Sequence, residues 1–157
     1  MNSFNAFYRE NRHKIFAYLM RITRDYYLAC DIMQESFTRY LEKYGNAEPR
    51  LALIFKIARN AFYDHARKDN RSSSLQEEPA SDHQSQEHLV MVREEFRRVA
   101  DAMQQLSPKE RDVLALVVSS DLPYAEIASI VGISEANVKV SVHRARKQLL
   151  NKVRGTQ

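Results

Sequence analysis

Apolar positions recur along this chain at the spacing of helices buried on one side. Phe4, Phe7 and Tyr8 predict a first helix, and Ile15, Phe16, Leu19, Met20 and Ile22 a second over about 14–23. A third is predicted over 26–44, where Ala29, Ile32, Met33, Phe37, Tyr40, Leu41 and Tyr44 share one side. Asp31, Gln34, Glu35 and Thr38 lie almost opposite, an arrangement that by itself is ordinary solvated surface. Gly45, Asn46 and Pro49 break the chain before a fourth helix over 51–68. Its inner stripe is Ile54, Ile57, Ala58, Ala61, Phe62 and His65, the histidine read as packed; Lys56, Arg59, Asn60, Tyr63 and Arg67 point outward. That outer face is either a basic solvated surface or a platform for single-stranded nucleic acid, whose phosphates need charge and whose unstacked bases need a flat ring.

After residue 88 the helical pattern resumes with Val92, Phe96, Val99 and Met103 on one face. Ser107-Pro108-Lys109-Glu110 is a capping box with proline at the first helical position, so it starts a further helix. Residues 122–149 carry the spacing of a helix-turn-helix. Ala128 is small where two helices cross, Gly132 falls where the turn needs left-handed backbone, and Val138 anchors the second helix. Pro123 is expected at the first position of the first helix and Ser134 as the cap of the second. Val138, Val142, Ala145 and Leu149 form the buried stripe of that second helix. Ala136, Asn137, Lys139, Val140, His143, Arg144 and Lys147 face the other way and combine cations, a bidentate-capable amide and short apolar side chains, the chemistry of major-groove readout. Beyond Glu135 the chain has no acidic residue, while Lys139, Arg144, Arg146, Lys147, Lys152 and Arg154 follow, a run suited to phosphates.

Composition narrows the class. Three glycines and four prolines in 157 residues favour an all-helical protein, and 44% hydrophobic content supplies one ordinary core or two small ones. The formal net charge of +4 fits a polyanionic partner without requiring one. Both ends are basic, whereas residues 70–91 hold one basic and four acidic side chains and almost no apolar ones before Leu89. Such a stretch buries too little surface to offset its ordering entropy and reads as a flexible linker. The expected organisation is therefore two small helical domains, 1–69 and 89–157, joined by an acidic linker, 70–88. The single Cys30 excludes an internal disulfide and reads as a packed small side chain. No apolar run approaches the ~20 residues that cross a bilayer, and the N-terminus lacks a signal-peptide pattern, so a cytoplasmic protein with no membrane insertion is expected. No catalytic motif, metal-ligand cluster or cofactor fingerprint stands out, and the chain is read as not an enzyme.

Four stretches in order carry a resemblance: D-I-M-Q-E-S-F at 31–37, F-K-I-A-R-N at 55–60 with D-H-A-R at 64–67, L-S-P-K-E-R-D-V-L at 106–114, and the helix-turn-helix. Together they resemble the sigma factors of bacterial RNA polymerase, and among these the short extracytoplasmic-function (ECF) type of the sigma-70 family, which has only the second and fourth sigma regions. The resemblance implies that Asp31, Gln34 and Glu35 dock on the clamp helices of the polymerase's largest subunit. It implies that the fourth helix (Lys56, Arg59, Asn60, Tyr63, Arg67) and the loop before it, with Asn46 as the pocket for an extruded base, take the non-template strand of the minus-ten element. The seven outward residues of the helix-turn-helix would read the minus-thirty-five element. Family members commonly have K-S-R-L-H-R-A-R where this chain has Lys139 to Arg146, so Ser141 stands in place of an arginine and one base step is expected to be read loosely. The linker acids Glu77, Glu78, Asp82 and Glu87 would lie toward the RNA exit path or serve only as a soluble tether.

The function expected is a promoter-specificity subunit whose partners are core RNA polymerase, promoter DNA and an anti-sigma factor. Two alternatives fit parts of the pattern: a sigma-like decoy that sequesters an anti-sigma protein, and a stand-alone helix-turn-helix regulator that binds duplex operators as a dimer.

Overall fold

The computed structural model describes residues 2–45, 47–72, 94 and 97–155. Six helices are delimited: α1 (Asn2–Thr23), α2 (Tyr26–Tyr44), α3 (Leu51–Ser72), α4 (Pro108–Ser120), α5 (Tyr124–Val131) and α6 (Glu135–Gly155). Residues 97–103 are also helical, and no strand occurs among the described residues, as expected of an all-α chain. Asn46, the linker acids Glu77, Glu78, Asp82 and Glu87, and Val92 and Phe96 lie outside the described residues.

The two helices expected before residue 24 are one. Arg9–His13 contains no glycine or proline, and Asn11, which could have capped a new helix, instead donates to the Phe7 carbonyl at 3.0 Å. The helix therefore runs on, burying Ile15, Tyr18, Leu19 and Ile22 at i, i+3, i+4 and i+7. It stops at Arg24, whose left-handed backbone (φ 62°) returns its amide to Met20 O at 2.9 Å. Asp25 then caps α2 by accepting from the Leu28 amide at 3.1 Å. Gly45 (φ 47°) ends α2, its amide bonded to Leu41 O at 2.8 Å. The fully buried Tyr40 accepts the Arg50 amide at 2.8 Å, which fixes where α3 begins. α3 continues to Ser72, through the boundary expected after residue 69, because nothing between Lys68 and Ser72 breaks a helix.

In the C-terminal half Ala100 and Met103 are buried, whereas Val99, expected on the same face as Met103, is 42% exposed. Ser107 caps α4, accepting from the Glu110 amide at 3.1 Å with Pro108 at the first helical position. Glu110 does not close the capping box: its carboxylate accepts from Gln148 Nε2 at 3.3 Å. The α5–α6 pair is the expected helix-turn-helix. Pro123 is the N-cap of α5, one position earlier than expected. Gly132 has φ 85°, its amide and that of Ile133 both return to Ala128 O at 2.7 and 3.1 Å, and Ser134 accepts the Asn137 amide at 3.0 Å.

The two halves are packed together. α1 packs as extensively on α4 as on α2, and α3 also meets α5. One contiguous apolar cluster draws on both halves, from Ile15, Leu19, Ile54 and Phe55 to Leu116, Ile127 and Val138.

Candidate polymerase and nucleic-acid interfaces

The second helix of the helix-turn-helix, α6, is built on three buried side chains, Val138, Val142 and Ala145, at 0%, 3% and 0% exposure. With that stripe inward, Ala136, Asn137, Lys139, Val140, His143, Arg144 and Lys147 are all exposed. Ser141 is buried at 5% exposure, so this position faces the helix-turn-helix core rather than a base. The loose reading expected from its missing arginine therefore has no geometric basis; the exposed neighbour that can meet a base edge is Val140.

On α3 the five outward residues divide. Lys56, Asn60 and Arg67 are exposed, Arg67 pairing with Asp64 on its own helix. Arg59 and Tyr63 are half-buried against α4. Arg59 Nε donates to Asp112 Oδ2 at 2.6 Å, and the Tyr63 hydroxyl donates to the same oxygen at 3.2 Å. The other oxygen, Oδ1, accepts from the Tyr18 hydroxyl of α1 at 2.6 Å. The Arg59 guanidinium also lies 4.9 Å from the centre of the Tyr63 ring, a cation–π contact. Asp112 is 1% exposed and the three donors make its burial tolerable, since a buried carboxylate without them would be strongly destabilising.

The protonation states follow from that geometry. Burial pushes the Tyr63 hydroxyl up to about 12, and the Asp112 carboxylate adds to it. Tyr18 is raised well above the usual phenol range, first by complete burial and then by Asp112. Burial lowers Arg59, but the carboxylate more than reverses this and holds the guanidinium above its ordinary value. Each group is thus fixed as a donor at neutral pH, the form that would also meet a phosphate oxygen.

On α2, Asp31 and Gln34 are exposed and Glu35 is half-buried. They share one face of the helix, with Gln34 Nε2 3.3 Å from the Tyr8 hydroxyl. Glu35 pairs with Arg39 one turn on, and its other oxygen lies 3.6 Å from His65 Nε2. His65 is therefore not the packed histidine expected from its stripe: it sits at the rim of α3, turned toward Glu35.

Residues 7–72 match the family model for sigma-70 region 2, and residues 96–149 that for sigma-70 region 4. The ECF RNA polymerase sigma factor SigM of Bacillus subtilis is 30% identical over 150 residues, covering 90% of each chain. This chain belongs to the ECF sigma factors. The ECF sigma factor SigL of Mycobacterium tuberculosis is likewise 30% identical over 150 residues, covering 92% of this chain and 85% of its own. Among solved structures, the sigma factor RpoE of Bartonella quintana, crystallised with the anti-sigma factor NepR, superposes with a TM-score of 0.78 at 24% identity over 98% of both chains. CnrH in complex with the cytosolic domain of CnrY gives a TM-score of 0.67 at 20% identity over 98% of this chain and 89% of its own.

In this ECF sigma factor the region 2 match spans most of α1 and all of α2 and α3, and the region 4 match reaches from residue 96 into α6. Sequence reasoning missed Asp112, the residue that joins the two. A signal was present: the run Val113-Leu114-Ala115-Leu116-Val117-Val118 is apolar on every side, and a helix apolar all round needs cover on more than one face. Residues 112–116 are all buried. Among the described residues no group of three or more His, Cys, Asp or Glu side chains is placed to hold a metal ion, and no helix is long and apolar enough to cross a membrane.

Proposed function

We propose that this chain is the promoter-specificity subunit of a bacterial RNA polymerase, docking on core enzyme through Asp31, Gln34 and Glu35. The outer face of α3, with exposed Lys56, Asn60 and Arg67 and half-buried Arg59 and Tyr63, and the loop at Asn46 take the non-template strand of the minus-ten element and so assist melting. The outer face of α6, from Ala136 to Lys147, reads the minus-thirty-five element. The single observation that carries the α6 reading is that all seven residues chosen for base and phosphate contact are exposed while their helix is anchored from behind by Val138, Val142 and Ala145.

The functional division is a region 2 unit over 1–69, a connecting stretch over 70–88 and a region 4 unit over 89–157, with α3 carrying the first unit on to Ser72. An anti-sigma factor is a further partner, supported by the structural neighbour RpoE, which was solved with the anti-sigma factor NepR. The subunit works in the cytoplasm beside the polymerase and performs no covalent chemistry of its own.

Titrating labelled chain with core polymerase, and separately with minus-thirty-five duplex alone, tests this reading. Saturable core binding with weak duplex binding in the absence of core is expected. Tight, dimeric duplex binding without core would point to a stand-alone regulator, and absence of core binding to a decoy.

A further inference from the structure

While the halves are packed, Arg59 Nε and the Tyr63 hydroxyl are engaged on Asp112 and both side chains are half-buried against α4, so neither is presented in full to a DNA strand. The guanidinium and phenol that suit a phosphate oxygen are already donating to a buried carboxylate, and one face of the Tyr63 ring is covered by Arg59. All three donors to Asp112, Tyr18, Arg59 and Tyr63, come from the opposite half of the chain. Around this centre the seam carries a polar rim: Arg24 Nε to Asp101 at 2.7 Å, Arg21 to the Ser119 hydroxyl at 3.2 Å, and Lys14 to Asp121 at 3.9 Å. Arg24 and Asp121 are also the two described non-glycine residues with positive φ, so the helix ends at the seam are the places where the backbone departs from its easy regions.

Size gives an independent reason why this packing must open. Elements named for positions ten and thirty-five stand about 25 base pairs apart, roughly 85 Å along B-form DNA at 3.4 Å per pair. A compact chain of this length has a radius of gyration of about 15 Å and measures roughly 40 Å across. The packed form cannot reach both elements.

We propose that Asp112 is an intramolecular stand-in for promoter phosphate: it closes region 4 over region 2, holds Arg59 and Tyr63, and keeps the free subunit from binding the minus-ten strand until the halves separate. The inference rests on the strand-binding role proposed above for Arg59 and Tyr63. The affinity of the free chain for single-stranded DNA is then the intrinsic affinity multiplied by the small fraction that is open. Loosening the latch raises that fraction without adding any contact to DNA.

The test compares the full-length chain with Asp112→Asn, which keeps the shape and removes the charge. Two readouts are taken on each: the radius of gyration by solution scattering, and binding of a fluorescent single-stranded DNA of ~12 nucleotides without polymerase. Asp112→Asn should expand the chain and tighten oligonucleotide binding roughly ten- to a hundred-fold, the worth of a charged hydrogen bond in a buried site. Adding Arg59→Ala should abolish the gain in binding but keep the expansion. Unchanged dimensions and unchanged affinity would overturn the latch. Expansion with affinity that neither rises nor depends on Arg59 would overturn the strand-binding role and with it the competition, while leaving the interdomain contact in place. Because a buried substitution can unfold a small protein, Asp101→Asn at the exposed rim is measured in parallel, with helical content followed by circular dichroism. It should tighten oligonucleotide binding by about twofold, as loss of a surface ion pair would; unchanged affinity in a folded Asp101→Asn together with an unfolded Asp112→Asn would also overturn the proposal.

Discussion

Substitutions along the outer face of α6 should separate specificity from attachment. Asn137 and Lys139 lie in the first turns of the helix and Lys147 ten residues beyond Asn137, which at 1.5 Å per residue is about 15 Å along the axis. The major groove is about 12 Å wide, so a helix inserted by its first turns carries Lys147 past the base edges to the phosphates. Asn137→Ala or Lys139→Ala should therefore lower affinity for the best minus-thirty-five sequence by about 1–3 kcal/mol, roughly five- to 150-fold, and for poor sequences by less. Lys147→Ala should weaken all sequences about equally and lower the salt slope by roughly one unit. None of the three should change stability by more than ~0.5 kcal/mol, because each side chain is exposed. The assay is a randomised minus-thirty-five selection by holoenzyme carrying each variant, with binding of the selected site repeated at several salt concentrations. A changed motif with Lys147→Ala, beside an unchanged one with Asn137→Ala and Lys139→Ala, would show that the helix is inserted the other way round.

Replacing Asp31, Gln34 and Glu35 together by Ala should weaken core polymerase binding at least tenfold in a quantitative titration while circular dichroism stays unchanged, since these side chains lie on the outer face of α2; unaltered affinity would refute the docking face. Arg59→Ala, Asn60→Ala and Tyr63→Ala should slow open-complex formation more than initial duplex binding, and a pre-melted promoter should rescue them. Failure of that rescue would place their step elsewhere. Gly132→Ala should destabilise the chain by about 1–2 kcal/mol through its φ of 85° alone, because an added Cβ meets nothing within 4 Å. Gly132→Asn should recover part of that loss in urea unfolding, and equal losses for both would show that packing rather than backbone geometry is responsible.

What the sequence made legible was local. α2 was expected over 26–44 and spans Tyr26–Tyr44, because a capping aspartate precedes it and a glycine ends it. The helix-turn-helix was legible through Gly132, Ser134 and the Val138-Val142-Ala145 stripe, each acting within a few residues. The join between the two early helices was misread because Asn11 has two uses, cap or back-bond, and only the surrounding packing selects one. His65 was misplaced because its inner stripe ends at a rim where Glu35 of another helix waits.

The site was less legible than the fold for the same reason. Asp112 in K-E-R-D-V-L has the character of a surface acid, and its partners Tyr18, Arg59 and Tyr63 stand 94, 53 and 49 residues away. No periodicity connects them. The contact exists only once α1 and α3 have packed on α4, so the division of the α3 face into exposed Lys56, Asn60 and Arg67 and occupied Arg59 and Tyr63 is a tertiary fact.

Run-off transcription by purified core RNA polymerase, with and without this chain, on a library of genomic promoter fragments tests the central claim most directly. The chain should add discrete transcripts whose start sites share a two-part upstream motif, and changing either part, or removing the chain, should abolish them. If core polymerase gains no promoter-dependent transcript while the chain binds duplex DNA on its own, the account of a promoter-specificity subunit is contradicted.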